Sequence, residues 1–194
     1  PDFIAVTGGS AGGHLTTLAA LSANYAPWQP GFESVDTTVQ AAMPIYACFD
    51  LCNRFGLRRV NKIDALIGKW VMQVEPEADP DAWQLGSPIT WVHDAAPPFM
   101  VIQGTHDSLV WVEEARRFVA ELSDVTQKPI VYAELPGAQH AFEWFHSPRT
   151  SHYLNAAAAY LEWAYADWCA TEGLNTAAID LDIAAIDSLE TAAE

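Results

Sequence analysis

The stretch Phe3-Ile4-Ala5-Val6-Thr7-Gly8-Gly9-Ser10-Ala11-Gly12-Gly13-His14-Leu15 decides the fold class of this chain. Its first five residues form a short apolar run rich in strand-forming side chains, which predicts a fully buried β-strand over Phe3–Thr7. After the glycines, the apolar residues from Ala11 to Ala23 follow helical spacing. A buried strand that turns through glycines directly into a helix is typical of α/β proteins.

Three more strands alternate with helices further along the chain. We predict strands over Thr38–Ala47, Phe99–Ile102 and Ile130–Leu135, and helices over Val112–Leu122 and Ser151–Cys169. Residues 48–98 are irregular and broken by prolines, although the apolar residues between Val60 and Val74 fall near helical spacing. The alternation favours an α/β fold with a mostly parallel sheet and helices on both faces.

Composition and charge argue against several classes of partner. The chain has 194 residues, 51% of them hydrophobic, which is enough to bury the core of one domain. It carries 9 Lys and Arg against 25 Asp and Glu, a net charge of −16, which repels nucleic acids and anionic lipids. No apolar run reaches the roughly 18 residues that a membrane span needs. The three cysteines, Cys48, Cys52 and Cys169, are expected to be buried thiols rather than a disulfide framework.

The turn between the first strand and the first helix fits the pattern G-x-S-x-G over Gly8–Gly12. We expect the residues two before and two after Ser10 to nearly touch, so that only glycine fits at both positions. The strained backbone then presents the Ser10 hydroxyl above the sheet, and the N–H of Ala11 can donate to a developing oxyanion. The alternative is a phosphate-binding turn, but the chain has neither G-x-G-x-x-G nor the P-loop pattern.

A nucleophilic serine needs a base, and the base needs an orienting carboxylate. Asp107 follows the strand at 99–102, and His140 lies on the loop after the strand at 130–135, where an acid and a base belong. The chain order Ser, Asp, His is the one this kind of site uses. The alternative for Asp107 is a turn residue that caps the helix beginning near Val112.

The other five histidines fit the role of base less well. They are His14, His93, His106, His146 and His152. His14 is expected to pack beneath the turn, and His93 precedes the acid, against the chain order. The set His140, Glu143 and His146 suggests a metal site, but its spacing differs from H-E-x-x-H, so we predict no metal there.

These motifs resemble those of the bacterial carboxylesterases and lipases of the α/β-hydrolase superfamily, in particular the hormone-sensitive-lipase-like branch and related actinobacterial esterases. The stretches that carry the resemblance are Gly8–Leu15, Ser87–Ile89, Pro97–Asp107 and His140–Phe142. The resemblance implies a catalytic triad of Ser10, Asp107 and His140, an oxyanion-hole donor at Ala11, and no cofactor or metal. It also implies a lid-like insertion at about 50–98 within a catalytic core over 1–171, followed by an acidic tail at 172–194.

One departure from the family is the absence of anything upstream of the nucleophile strand. The family has earlier strands and an upstream loop, often His-Gly-Gly-Gly, that supplies the second oxyanion donor, and no such motif occurs here. We therefore expect this chain to be the C-terminal part of a longer enzyme and to be weakly active by itself. We also expect Phe3–Thr7 to be an apolar sheet edge that another copy or another chain covers.

The implied activity is hydrolysis of carboxylic esters through an acyl-enzyme on Ser10. Tryptophans near the insertion and near the acid and base suggest an apolar acyl pocket, although such residues also serve as core; they are Trp70, Trp83, Trp91, Trp111 and Trp144, with Phe145 beside the last. Two alternatives stay open: a serine peptidase of the same fold, and a non-catalytic hydrolase-fold fragment. The tail beyond Thr171 is expected to be a loosely docked helix or a helix that binds a partner.

Overall fold

Four parallel strands form the centre of the fold. The computed structural model describes residues 2–57 and 65–174. The strands are β1 (Ala5–Gly9), β2 (Ala41–Ile45), β3 (Phe99–Gly104) and β4 (Ile130–Leu135), and they lie side by side in that order. Every neighbouring pair is parallel. The carboxyl ends of all four strands therefore meet at one edge, where functional groups of such sheets gather.

Helices cover both faces of this sheet. They are α1 (Ala11–Leu21), α3 (Val112–Val125) and α4 (Pro148–Thr171), whereas the short α2 (Pro80–Leu85) packs through Trp83 in a separate small cluster. Side chains of α1 and α3 pack against one face, where Phe99 and Val101 of β3 point, and α4 packs against the other face with Met100 and Ile102. Both sets of β3 side chains are therefore buried, which explains the continuous apolar run in the sequence. The predicted α/β class with helices on both faces is confirmed.

The first strand differs from its prediction in position and in burial. It runs over Ala5–Gly9 instead of Phe3–Thr7, and Thr7 is exposed. The prediction of a fully buried strand is wrong because, within the described residues, β1 is hydrogen-bonded only to β2 and lies at the sheet edge. Phe3 lies before the strand and packs against α4, with its ring centroid 5.2 Å from that of Tyr165.

A buried proline stands inside β2. The N–H groups of Ala42 and Tyr46 donate to carbonyls of Pro98 and Ile102 on the β3 side. Pro44 lies midway between them and has no N–H, so the ladder between β2 and β3 lacks a hydrogen bond at that point. The expected strand over Thr38–Ala47 is shortened to five residues. Pro44 departs from the usual restriction of proline to edge strands, since β2 is fully buried and paired on both sides.

Several sequence predictions concern the insertion and the tail. Of the helical spacing between Val60 and Val74, the part at 58–64 lies outside the described residues, and Ile67–Met72 forms one π-helical turn. The predicted lid and domain division stay predictions. Of the predicted tail at 172–194, residues 175–194 also lie outside the described part, so the tail hypothesis stays a prediction. In the described part of the chain, no helix is both long and apolar enough to cross a membrane.

The three cysteines are thiols, as expected, although they differ in burial. Cys48 and Cys169 are buried, whereas Cys52 is only half-buried. Cys52 lies 3.4 Å from the Ser87 hydroxyl, which itself is buried and accepts the N–H of Leu51. The Ser87-Pro88 segment thus anchors the start of the insertion after β2, and the thiol packs beside it.

Candidate active site

Ser10 occupies a strained turn between β1 and α1. Its backbone has φ of 56° and ψ of −119°, a combination that a residue with a side chain rarely adopts. Its N–H donates to the carbonyl of Ile45 at the end of β2, which holds the turn against the neighbouring strand. Although Ser10 stands at the N-cap of α1, its side chain makes no capping bond to the helix. The hydroxyl is therefore directed away from the helix.

The glycines around this serine are needed for different reasons. A Cβ at Gly8 would lie 2.6 Å from the carbonyl carbon of Gly12, so the residues two before and two after the serine do nearly touch. The expectation that only glycine fits at both positions is wrong for Gly12, where a Cβ meets no atom within 4 Å. The constraint falls on Gly13, whose Cβ would lie 2.8 Å from that of Ala47. Successive helical side chains point about 100° apart, so Gly13 faces the sheet and Gly12 does not.

Asp107 is a buried carboxylate in the turn after β3. Its Oδ1 accepts the N–H groups of Leu109 and Val110, at 2.9 and 2.8 Å. The alternative interpretation of Asp107 as a turn residue is therefore correct in part, since its carboxylate holds the backbone of the turn through these two bonds. It does not cap α3, however, because Trp111 is the N-cap residue of that helix. The second oxygen, Oδ2, stays available for a bond to the base.

His140 links the acid to the serine. Its Nδ1 lies 2.7 Å from Asp107 Oδ2, and its Nε2 lies 2.8 Å from the Ser10 hydroxyl oxygen. Because a carboxylate only accepts, Nδ1 carries the proton, and the neutral imidazole leaves Nε2 as acceptor for the serine O–H. The structure thus brings together the three residues that the sequence analysis selected, from loops after β1, β3 and β4. The imidazole side chain is 17% exposed and that of Asp107 is fully buried.

Backbone hydrogen bonds join the loops that carry the acid and the base. The N–H of His106 donates to the Ala138 carbonyl at 3.0 Å, and the N–H of Gly137 donates to the Thr105 hydroxyl at 2.9 Å. The residue after the base, Ala141, has a positive φ of 57°. This left-handed turn costs about 1 kcal/mol or more in a residue with a side chain, and the paired loops hold it in place.

Tyr46, the residue after β2, contacts both the base and the turn. Its ring centroid lies 4.6 Å from that of the His140 imidazole, and its hydroxyl donates to Oε1 of Glu143. Burial first, and then the Glu143 carboxylate, raise the pKa of Tyr46 well above its ordinary value, so the phenol keeps its proton and acts as donor. A Cβ at Gly9 would collide with this hydroxyl, which explains a third glycine in the turn. The sequence analysis missed this role of Tyr46 and Glu143.

The remaining histidines have other partners. His14 donates from Nδ1 to the Cys48 carbonyl at 2.9 Å, and its burial lowers the pKa of the imidazole. His93 lies 3.2 Å from the Leu21 carbonyl, and His106 is exposed beside Thr105. His146 and His152 are exposed, at the loop before α4 and on α4. Within the described residues, no group of three or more His, Cys, Asp or Glu side chains is placed to hold a metal ion.

The aromatic residues considered for an acyl pocket divide into core and surface. Trp83 is buried in a small core cluster behind the insertion, and Trp91 is half-buried against Trp28, with ring centroids 5.1 Å apart. Trp144 and Phe145, which follow the base by four and five residues, are 79% and 74% exposed. Trp70 in the insertion is likewise 69% exposed, so these three aromatic side chains belong to the surface and not to the core.

The parallel sheet and the strained strand-to-helix turn define the α/β-hydrolase fold. The model of the BD-FAE family matches residues 1–122, more than half of the chain, and the chain belongs to this family. A solved structure described as a truncated form of a carbohydrate esterase from gut microbiota superposes with a TM-score of 0.69 at 20% identity, covering 85% of this chain and 61% of that one. The predicted fold and the resemblance to α/β-hydrolase carboxylesterases are confirmed.

Two similar proteins come from Mycobacterium tuberculosis (strain ATCC 25618 / H37Rv). The one named "Probable carboxylic ester hydrolase LipM" is 45% identical over 166 residues, which are 86% of this chain and 38% of the relative. The one named "Esterase LipQ" is 43% identical over 161 residues, which are 83% of this chain and 38% of the relative. The chain therefore spans less than half the length of these relatives.

Proposed function

We propose that this chain carries the nucleophile, base and acid of a carboxylic ester hydrolase. The observation that carries the proposal is the continuous hydrogen-bond chain from Ser10 through His140 to Asp107, with links of 2.8 and 2.7 Å. The esterase names of relatives that are 43–45% identical over most of this chain support the same reaction class. In this proposal Ser10 is the nucleophile, His140 the general base and Asp107 the orienting acid.

The first step forms an acyl-enzyme. The Ser10 oxygen attacks the ester carbonyl carbon while Nε2 of His140 takes the hydroxyl proton. Asp107 holds the imidazole in the tautomer that accepts at Nε2 and stabilises the imidazolium that forms. The tetrahedral intermediate then collapses, the bond to the leaving oxygen breaks, and the same imidazolium gives its proton to the departing alcohol.

The charge on the tetrahedral intermediate needs donors in place before the reaction. Helix α1 begins at Ala11, so the N–H of Ala11 has no partner within the helix and lies at its partially positive end. We assign this N–H as one oxyanion-hole donor. Such a donor is worth about 10² to 10³ in rate.

The second step returns the enzyme to its starting state. A water molecule gives a proton to Nε2 of His140 as its oxygen attacks the acyl carbon, and collapse releases the acid and restores the Ser10 hydroxyl. Each proton moves between Ser10, His140, the leaving alcohol and water, so these steps need no cofactor. The exposed rings of Trp144 and Phe145, four and five residues after the base in the chain, favour esters with an apolar acyl group.

Covalent labelling combined with an ester panel tests the proposal. We expect a fluorophosphonate probe to label the protein, and p-nitrophenyl acetate and longer p-nitrophenyl esters to be hydrolysed. Ser10→Ala should lose both, whereas Ser151→Ala, which removes an exposed hydroxyl on α4, should lose neither. Labelling that persists in Ser10→Ala, or cleavage of a peptide p-nitroanilide in place of the esters, would contradict the proposal.

A further inference from the structure

Gln103 is a fully buried polar residue at the end of an apolar strand. It follows Phe99–Ile102 in β3 and has no exposed surface. Alternation along the strand places it on the same face as Phe99 and Val101, toward α3. A glutamine in such a place must satisfy its amide inside the protein or weaken the fold.

The amide nitrogen of Gln103 bridges the two ends of the acid turn. Nε2 donates to Oδ2 of Asp107 at 3.1 Å and to the backbone carbonyl of Val110 at 2.9 Å. Both partners can only accept, so the side chain has to present its NH₂ group to them, and a flipped amide would place oxygen against oxygen. The orientation of this amide follows from its two partners.

The other end of the same amide is left without a partner. Among the described residues, Oε1 of Gln103 is buried and accepts no hydrogen bond. A buried unsatisfied acceptor costs about 1–3 kcal/mol, which an apolar side chain of the same size would avoid. The glutamine is therefore explained by the two groups that it donates to, the Val110 carbonyl and the Asp107 carboxylate.

The bonds of Gln103 fall on the oxygen that also serves the base. Oδ1 of Asp107 is held by the N–H groups of Leu109 and Val110, whereas Oδ2 is shared between Gln103 Nε2 and His140 Nδ1. Without the glutamine, the carboxylate would still be anchored through Oδ1. Its rotation about that anchor, which sets the place of Oδ2, would then depend on the imidazole alone.

We propose that Gln103 is a positioning residue that holds Oδ2 of Asp107 in place for the bond to His140. The inference rests on the proposed function, because positioning Asp107 matters only if Asp107 is the acid of a catalytic triad. The residue touches no reacting atom and acts only through the acid. Other titratable groups near this part of the fold have their own partners: Glu114 of α3 accepts the N–H of Phe49, and Glu134 of β4 pairs with Arg116.

Two substitutions at this position and one control separate positioning from stability. Gln103→Met keeps the size and removes both donors. Gln103→Glu keeps the shape, but donates only while it shares a proton with Asp107, since two carboxylates this close do not both ionise. Gln29→Met is the matched control, because Gln29 is also buried and its amide also holds backbone carbonyls, those of Phe32 and Val35.

The readouts are steady-state kinetics over pH and the proton NMR signal of the His140 Nδ1–H. For Gln103→Met we expect kcat to fall about tenfold to a hundredfold with little change in KM, as for loss of a bond to a charged group. Its Nδ1–H signal should shift or broaden, and its melting temperature should fall no more than that of Gln29→Met, which also loses two buried donated bonds. At each pH Gln103→Glu should keep more activity than Gln103→Met, and this advantage should shrink as the pH rises and the shared proton is lost. Gln29→Met should match wild type in kcat and in the NMR signal.

Two outcomes overturn the inference. One is a Gln103→Met variant with wild-type kcat and an unchanged Nδ1–H signal. The other is equal losses in Gln103→Met and Gln29→Met, which would make the effect one of general packing. If the wild-type protein turns over no ester, the proposed function fails, and the Nδ1–H signal of Gln103→Met still decides whether this glutamine positions the acid.

Discussion

Replacing Asp107 by asparagine should reverse the hydrogen bonding of the base without changing the shape of the site. Oδ1 accepts two backbone N–H groups, which cannot become acceptors, whereas Oδ2 faces His140, which can change tautomer, and the NH₂ of Gln103. The asparagine oxygen will therefore stay at Oδ1 and its NH₂ group will take the Oδ2 position. That NH₂ then faces Nδ1 of His140, which can pair with it only by accepting. The proton moves to Nε2, and the imidazole presents a donor to Ser10, where an acceptor is needed.

The expected loss in turnover is about 10⁴-fold, the size seen for the same change in the serine protease triad. At about 1.4 kcal/mol for each factor of ten, this raises the barrier by about 5–6 kcal/mol. The assay is kcat for a p-nitrophenyl ester, with Asp36→Asn as control, because Asp36 also accepts a backbone N–H in a turn, that of Thr38. A loss of less than tenfold in Asp107→Asn with a normal melting temperature would refute the tautomer argument.

Three further predictions concern the turn, the first helix and the base. Gly8→Ala should destabilise the protein by about 1–3 kcal/mol or more through overpacking against Gly12, whereas Gly12→Ala should be tolerated; equal melting temperatures would contradict this. Burial lowers the pKa of His14 in the folded state, so between that pKa and pH 6.5 the unfolded state binds a proton that the folded state does not. The contribution of His14 to stability is therefore present above pH 6.5 and is lost as the pH falls through the folded-state pKa. His14→Gln should flatten the acid side of the unfolding free energy in urea titrations, and the exposed control His152→Gln should not. Replacing His140 by alanine removes the acceptor at Nε2, so kcat/KM should fall, and a variant with the wild-type kcat/KM would speak against this base.

Much of the site was predictable because its signals are local. The pattern Gly8–Gly12 lies between a strand and a helix, and the acid and base each follow a short apolar strand, so the parallel sheet brings their loops to one edge. Even there, the sequence pattern named Gly12 as essential where the structure requires Gly13. Which face of a helix meets the sheet depends on packing, which a short motif does not encode.

The parts that sequence analysis missed depend on contacts between distant elements. The hydroxyl of Tyr46 is hydrogen-bonded to Glu143, 97 positions away in the chain. No motif near either residue predicts this hydrogen bond. Gln103 is recognisable in the sequence as a polar residue at the end of an apolar strand, which is uncommon. Its hydrogen bond to Asp107 follows only from the three-dimensional structure.

The most direct test of the account is the site of covalent attachment of the fluorophosphonate. The labelled protein is digested, and the modified peptide is identified by mass spectrometry. The account predicts one modified residue, Ser10, in the peptide that contains Gly8–Gly12, and slower labelling when His140 is replaced by glutamine. Attachment at another serine, or labelling at the same rate without His140, would contradict the assignment of Ser10 and His140 as nucleophile and base.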